Sequence, residues 1–299
     1  MAKGTANPKT KIATKTRKTA AKPSTNKPTA KATRDPIDAV SADEVETVRK
    51  TLPRFLFRAW SPTSGGNARL NTEQAIAPLA FLDTTDIDSF YDTSRQKLAQ
   101  LANQHLHGQL TEPVYSSWSQ SLAFVLSIGA SHHSNACISI LDVSKLDPSV
   151  VVMPTWAMSE VLRHPVSVFA HQYLAFGIIS GPSYEAIPRS QIRGVGFIDN
   201  PINHSTADYF KRDEKPEPGA PLLHMKIRSI AAYAAQLYGP DFQLAMATYM
   251  LAMVDYHGNV DDQTLLKALA KFPMPRDWKS DHRLLEASSM DTHEFRETI

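Results

Sequence analysis

The chain has a single cysteine, Cys137, so neither an internal disulfide nor a zinc site built on several thiolates can form, which suits a reducing compartment. No apolar run approaches the ~20 residues of a membrane-spanning helix. No short apolar segment of the secretory kind opens the sequence, and the expectation is an intracellular protein of the nucleus or cytoplasm. A Gly-rich phosphate loop ending in Lys-Ser/Thr is missing, as is Gly-x-Ser-x-Gly. Gly194-Val-Gly196 runs on into Phe-Ile-Asp-Asn-Pro, not into a helix start, so it is no dinucleotide fingerprint. His132-His133 have no third ligand at metal-site spacing, and no metal site is expected.

Acidic residues are absent from one stretch. Residues 1–34 hold ten Lys or Arg and no Asp or Glu. The whole chain has 32 basic and 30 acidic residues, so a net charge of +2 conceals a tail near +10 and a body near −8. The tail is Lys, Arg, Thr, Ala, Pro and Asn with almost no large aliphatics, a composition that buries too little to offset chain entropy. It is expected to be disordered. It reads either as a solubilising segment or as a contact for nucleic acid or another polyanion. Pro8, Pro23 and Pro28 and the missing leucines argue against a mitochondrial presequence.

The remainder, in a chain that is 42% hydrophobic and 21% charged, carries the patterns of a folded domain. Ser41-Ala-Asp-Glu-Val predicts a capped helix to about Lys50, stopped by Pro53. Arg54–Trp60 alternates as a strand, and 61–67 is a turn. A helix is predicted over 93–107, with Leu98, Leu101 and Ala102 on one face. Further strands are predicted at 113–119, 136–142, 150–153, 171–179 and 192–198, with helices at 120–129 and 156–163. The lack of a βαβ rhythm favours an α+β fold with small mixed or antiparallel sheets. After a polar linker, helices at 222–238, 240–257 and 261–272 predict a C-terminal helical bundle, followed by a polar tail. The organisation is thus a basic tail and short helix (1–51), a central domain (52–200), a linker (201–221), the bundle (222–272) and a tail (273–299).

The order of three motifs carries a resemblance. Phe57-Arg58 on the first strand is followed by Ser117-Trp118-Ser119 at a strand end, and then by Gln172-Tyr-Leu-Ala-Phe-Gly-Ile-Ile179. Over residues 53–198 this resembles the ADP-ribosyltransferase superfamily of the arginine–serine–glutamate type. It looks closest to an uncharacterised fungal domain family that runs Tyr/Phe-Arg, Ser-Trp-Thr-Ser-Leu and Glu-Tyr-Leu-Val-His-Gly-Ile-Ile.

The resemblance implies a split core of two small sheets with NAD+ in the cleft between them, as ADP-ribose donor. Arg58 then matches the residue that reaches a phosphate or ribose oxygen; otherwise it is a strand-end arginine paired with a carboxylate. Ser117 matches the serine that orients the carboxylate or the ribose. Ser119 matches the third motif position and also suits an N-cap for helix 120–129. Trp118 and Trp60 read as core aromatics or as stacking contacts for a ligand ring.

The departure lies at position 172, where relatives have glutamate and this chain has glutamine. An amide can bond a ribose hydroxyl but supplies no negative charge, so transfer is expected to be weak or lost. Glu185 is the alternative carboxylate: Ser183-Tyr-Glu-Ala-Ile-Pro-Arg-Ser-Gln-Ile192 is similar to the Glu-x-Glu preceding Ile-Pro-x-Ser-Gln-Ile in cholera-like toxins, with a shorter spacing. Glu160 is a more distant candidate. The competing expectation is a non-catalytic interaction module whose basic tail contacts nucleic acid or chromatin.

Overall fold

A computed structural model of the chain describes residues 38–64, 69–83, 87–109, 113–131, 135–169, 171–194 and 232–255. Ser41 opens the first helix, α1 (Ala42–Arg49), with a reciprocal capping box: its hydroxyl accepts from Glu44 N, and the Glu44 carboxylate accepts from Ser41 N. The same carboxylate meets Arg95 at 2.8 Å, and that hydrogen bond, ahead of the opposing effect of burial, holds Glu44 down at about 2. Arg95 also donates to the Val161 carbonyl.

Alternation then sets the sheet. In β1 (Phe55–Trp60), Phe55 and Phe57 point to one face while Leu56, Arg58 and Trp60 point to the other. The remaining strands are β2 (Ala75–Ile76), β3 (Tyr115–Ser119), β4 (Cys137–Asp142), β5 (Val151–Pro154), β6 (Gln172–Phe176), β7 (Ile179–Ser180) and β8 (Tyr184–Pro188). Six form one antiparallel sheet in the order β5-β6-β3-β1-β4-β8, and β2 pairs with β7. The protein is therefore a mixed α and β fold on an antiparallel sheet. Most neighbours pair along four to six residues, but β1 and β3 meet at one registered pair, Phe57 opposite Ser119.

The helices are α2 (Ala80–Asp83), α3 (Arg95–Leu106), α4 (Leu122–Ser131), α5 (Thr155–Leu162), α6 (Arg189–Gly194) and α7 (Pro240–Asp255). One core cluster joins Leu56, Trp60, Trp118, Leu141, Tyr173 and the buried face of α3. The other joins Phe55, Phe57, Leu122, Ile138 and Ile140 to Tyr238, Phe242, Met246 and Tyr249 of the C-terminal segment. Phe55 and Phe57 are fully covered, and each contributes about 2–3 kcal/mol by that burial. No described helix is long and apolar enough to cross a membrane.

The structure corrects three expectations. Residues 192–198 do not begin a strand: Arg189–Gly194 is α6, anchored by Ile192, while residues 195–198 lie outside the described residues. The strand lies just before, in β8, where Tyr184 and Ala186 alternate with Glu185 and Ile187 and Pro188 ends the run. The predicted strand 171–179 is two strands, broken at Gly177, whose φ of 107° few other residues adopt. The helix expected from Gln120 starts at Leu122, and its cap is Ser121, whose hydroxyl accepts from Phe124 N. In the C-terminal part, residues 232–235 and α7 are helical. The basic tail, the linker 201–221, the helix 261–272, the tail 273–299 and His132-His133 lie outside the described residues.

Candidate functional site

Arg58 projects from the middle of the sheet beside the single pair that joins β1 to β3. Its Nη1 donates to the Ser117 carbonyl at 2.7 Å and its Nη2 to Asn71 Oδ1 at 3.3 Å. Asn71 is buried and fixed in turn by donating to the Ser64 carbonyl at 3.1 Å. The Arg58 Nε–H is buried without a partner, and no carboxylate pairs with this guanidinium among the described residues. Burial lowers its pKa to about 10, so it remains charged at neutral pH.

Ser117 stands at the centre of the constellation. Its Oγ lies 2.8 Å from His105 Nε2 and accepts from Gln172 Nε2 at 2.9 Å. Gln172 occupies the first position of β6, opposite Ser119, and its side chain reaches diagonally to Ser117. Its Oε1 takes no hydrogen bond among the described residues and is open to solvent. The site thus brings together Arg58, Ser117 and Gln172, residues 59 and 55 positions apart along the chain.

His105 joins them from the last turn of α3. Burial, and then the Arg58 charge, push its pKa down to about 4, so the ring is neutral at pH 7. Its signal was available in the helix period: Leu98, Leu101, Ala102 and His105 form an i, i+3, i+4, i+7 stripe, which places the ring on the buried side. Asn71 has no comparable signal, because it comes from a loop.

Behind the site, a polar chain runs from Trp60 Nε1 to Ser139 Oγ at 2.6 Å, and on through the Tyr184 hydroxyl at 3.1 Å, which donates to the Thr72 carbonyl at 2.9 Å. Burial raises the Tyr184 hydroxyl above its ordinary pKa, keeping it neutral. In front, His171 holds a left-handed backbone at φ 58°. Its Nδ1 pairs with Gln120 Nε2 at 2.8 Å, and Gln120 Oε1 accepts from the Tyr173 hydroxyl at 2.6 Å.

Residues 51–179 match the model of a family described as a domain of unknown function (DUF7587). This stretch includes Arg58, Asn71, His105, Ser117 and Gln172. No curated protein and no solved structure matches the chain.

Other expected site residues sit elsewhere. Trp118, within the matched stretch, is 2% exposed; its indole N–H donates to Ser116 Oγ and its ring meets Tyr184 edge-on, so it packs as a core aromatic. Trp60 is buried likewise. Ser119 is buried and its Oγ accepts from Ser121 N at 3.1 Å, a turn contact leading into α4. Glu160 is exposed on α5. Glu185, beyond the matched stretch, pairs with Ile140 on the face opposite Arg58, and both its oxygens accept from Gly239 N, at 2.7 and 2.9 Å. It caps the start of α7 and is not brought to Ser117.

Proposed function

We propose that the chain is an ADP-ribosyltransferase-like protein that binds NAD+ in a cleft at the β1–β3 junction, with transfer activity weak or lost because Gln172 stands in the catalytic glutamate position. The observation that carries this reading is the meeting of Arg58 and Gln172 at one serine, Arg58 on the Ser117 carbonyl and Gln172 on its hydroxyl. The lone Phe57–Ser119 pair between β1 and β3 supports it, since β1, β4 and β8 stand on one side of that junction in the sheet and β3, β6 and β5 on the other. On this reading the two sides are the two sheets of a split core, and α7 with its neighbours is the C-terminal bundle.

The residues fit an anionic, hydroxyl-bearing ligand. Arg58 brings a positive charge with no carboxylate partner among the described residues and an unspent N–H, both suited to a phosphate oxygen. Gln172 Oε1 is an open acceptor suited to a ribose hydroxyl. NAD+ supplies the labile bond between nicotinamide and ribose. The amide at 172 binds without contributing negative charge, a loss on the order of a hundredfold in rate, ~3 kcal/mol.

A thermal-shift titration tests the reading. NAD+ at ten times its Kd adds about 1.4 kcal/mol, or roughly 3–6 °C for a domain of this size. The shift is expected in the wild type and in Gln172→Glu, and absent in Arg58→Met; no shift at millimolar NAD+ in the wild type refutes it. That outcome would favour the second reading, an interaction module, which rests on the ten basic and no acidic residues of 1–34 as a polyanion contact.

A further inference from the structure

The contacts of Ser117 Oγ favour one arrangement of hydrogens. The Gln172 Nε2 amide has hydrogens and no lone pair to offer, so it donates to Ser117 Oγ. The serine hydrogen then needs an acceptor, and among the described residues the one within reach of Oγ is His105 Nε2, at 2.8 Å. A neutral imidazole that accepts at Nε2 must carry its proton at Nδ1. Nδ1 makes no hydrogen bond to a protein group among the described residues and is not sealed from solvent. The groups facing the ring are the Arg58 guanidinium from β1 and Tyr115 and Ser117 from β3. The guanidinium opposes a second positive charge, and Tyr115, raised by burial, is neutral.

We propose that His105 is a positioning residue: as the Nδ1-protonated neutral imidazole it takes the Ser117 hydroxyl hydrogen, and so completes a one-directional chain, Gln172 to Ser117 to His105, that leaves Gln172 Oε1 as the acceptor presented to the cleft. A carboxylate at position 172 accepts only. It would draw the Ser117 hydrogen to itself, and His105 would have to reverse and donate from Nε2. The ring is thus the adjustable partner that lets the site hold either a glutamine or a glutamate at position 172. The link to ligand binding rests on the NAD+ reading; the tautomer does not.

The test is nitrogen NMR of the full chain labelled at histidine, with the His105 signals assigned by their loss in His105→Gln. The expected result is an unprotonated Nε2 in the wild type at pH 7, and a proton on Nε2 in Gln172→Glu with the ring's pKa raised by at least one unit. A wild-type Nε2–H, or a tautomer unmoved by Gln172→Glu, overturns the proposal. For the ligand side, His105→Gln restores an acceptor where Nε2 was and is expected to keep the NAD+ thermal shift, whereas His105→Leu reduces NAD+ affinity about tenfold. Equal loss in both variants, or none in either, overturns the positioning role. An absent wild-type NAD+ shift would sink the NAD+ reading alone, since the tautomer measurement still decides His105.

Discussion

One arginine precedes β1 and another lies within it, under opposite conditions, and exchanging each for methionine separates a paired charge from an unpaired one. Arg54 Nη2 lies 3.3 Å from Asp142 Oδ2, with the side chains 6% and 0% exposed. Asp142 Oδ1 is committed to Ser144 N and Oγ, so Arg54→Met strands a buried carboxylate. That costs about 3–5 kcal/mol. Arg58 has no such partner among the described residues. Burial lowers it from 12.5 to about 10, equivalent to a desolvation cost of up to ~3 kcal/mol at neutral pH, less what solvent screens. Methionine removes that cost and forfeits the bonds to Ser117 and Asn71, together worth about 2–3 kcal/mol. The two nearly cancel. At roughly 2–4 °C per kcal/mol, Arg54→Met is expected to melt about 6–20 °C lower, and Arg58→Met within about 4 °C of the wild type. Calorimetry and urea denaturation at pH 7 read both. Arg58→Met falling as far as Arg54→Met would refute the claim that this guanidinium is uncompensated within the fold.

Glu44, depressed from 4.5 to about 2, contributes stability that is full above pH 4.5 and lost as pH falls toward 2. Allowing for its partial exposure, Glu44→Gln should cost about 1–2 kcal/mol at pH 7 and nothing near pH 2, as read by acid titration of the unfolding midpoint. Glu185 has the opposite sign. Burial raises its pKa, so its contribution is complete below the ordinary carboxylate value and fades as pH rises through the folded one. Glu185→Gln should therefore match or exceed wild-type stability at pH 7, and Glu185→Ala should lose about 1–3 kcal/mol by orphaning Gly239 N–H. Neither variant should change the NAD+ thermal shift, and a loss of that shift in Glu185→Gln would contradict its placement on the far face.

Local chemistry was legible in the sequence wherever one physical rule decided the outcome. The capping box of Ser41 and Glu44 and the alternation of Phe55 and Phe57 against Leu56 and Arg58 each announce an element on their own. Ser119 misled because any serine ahead of an apolar helix suits a cap, and only the backbone path assigns that role to Ser121. β8 was hidden because its five residues read equally as the flank of a carboxylate motif. Arg58, Ser117 and Gln172 were found through the order of their motifs, while Asn71 was not, since a loop residue that meets a strand arginine 13 positions away leaves no periodic trace. His105 lay in plain view within the apolar stripe of α3; what the period could not tell is that a serine waits opposite it.

The left-handed turn at His171 restricts what can stand beside Gln172. Such a backbone is tolerable to glycine, asparagine, aspartate and histidine and punishing to β-branched residues. Here the imidazole also grips Gln120, so glycine would relax the turn and release the clasp together. β6 is held in register by its pairing with β3 on one side and β5 on the other, and in a pleated strand a slip of a single residue would swing every side chain to the reverse surface. The amide now touching Ser117 would then face away from it. The address of position 172 is kept by that pairing, with the turn at His171 leading the chain into it.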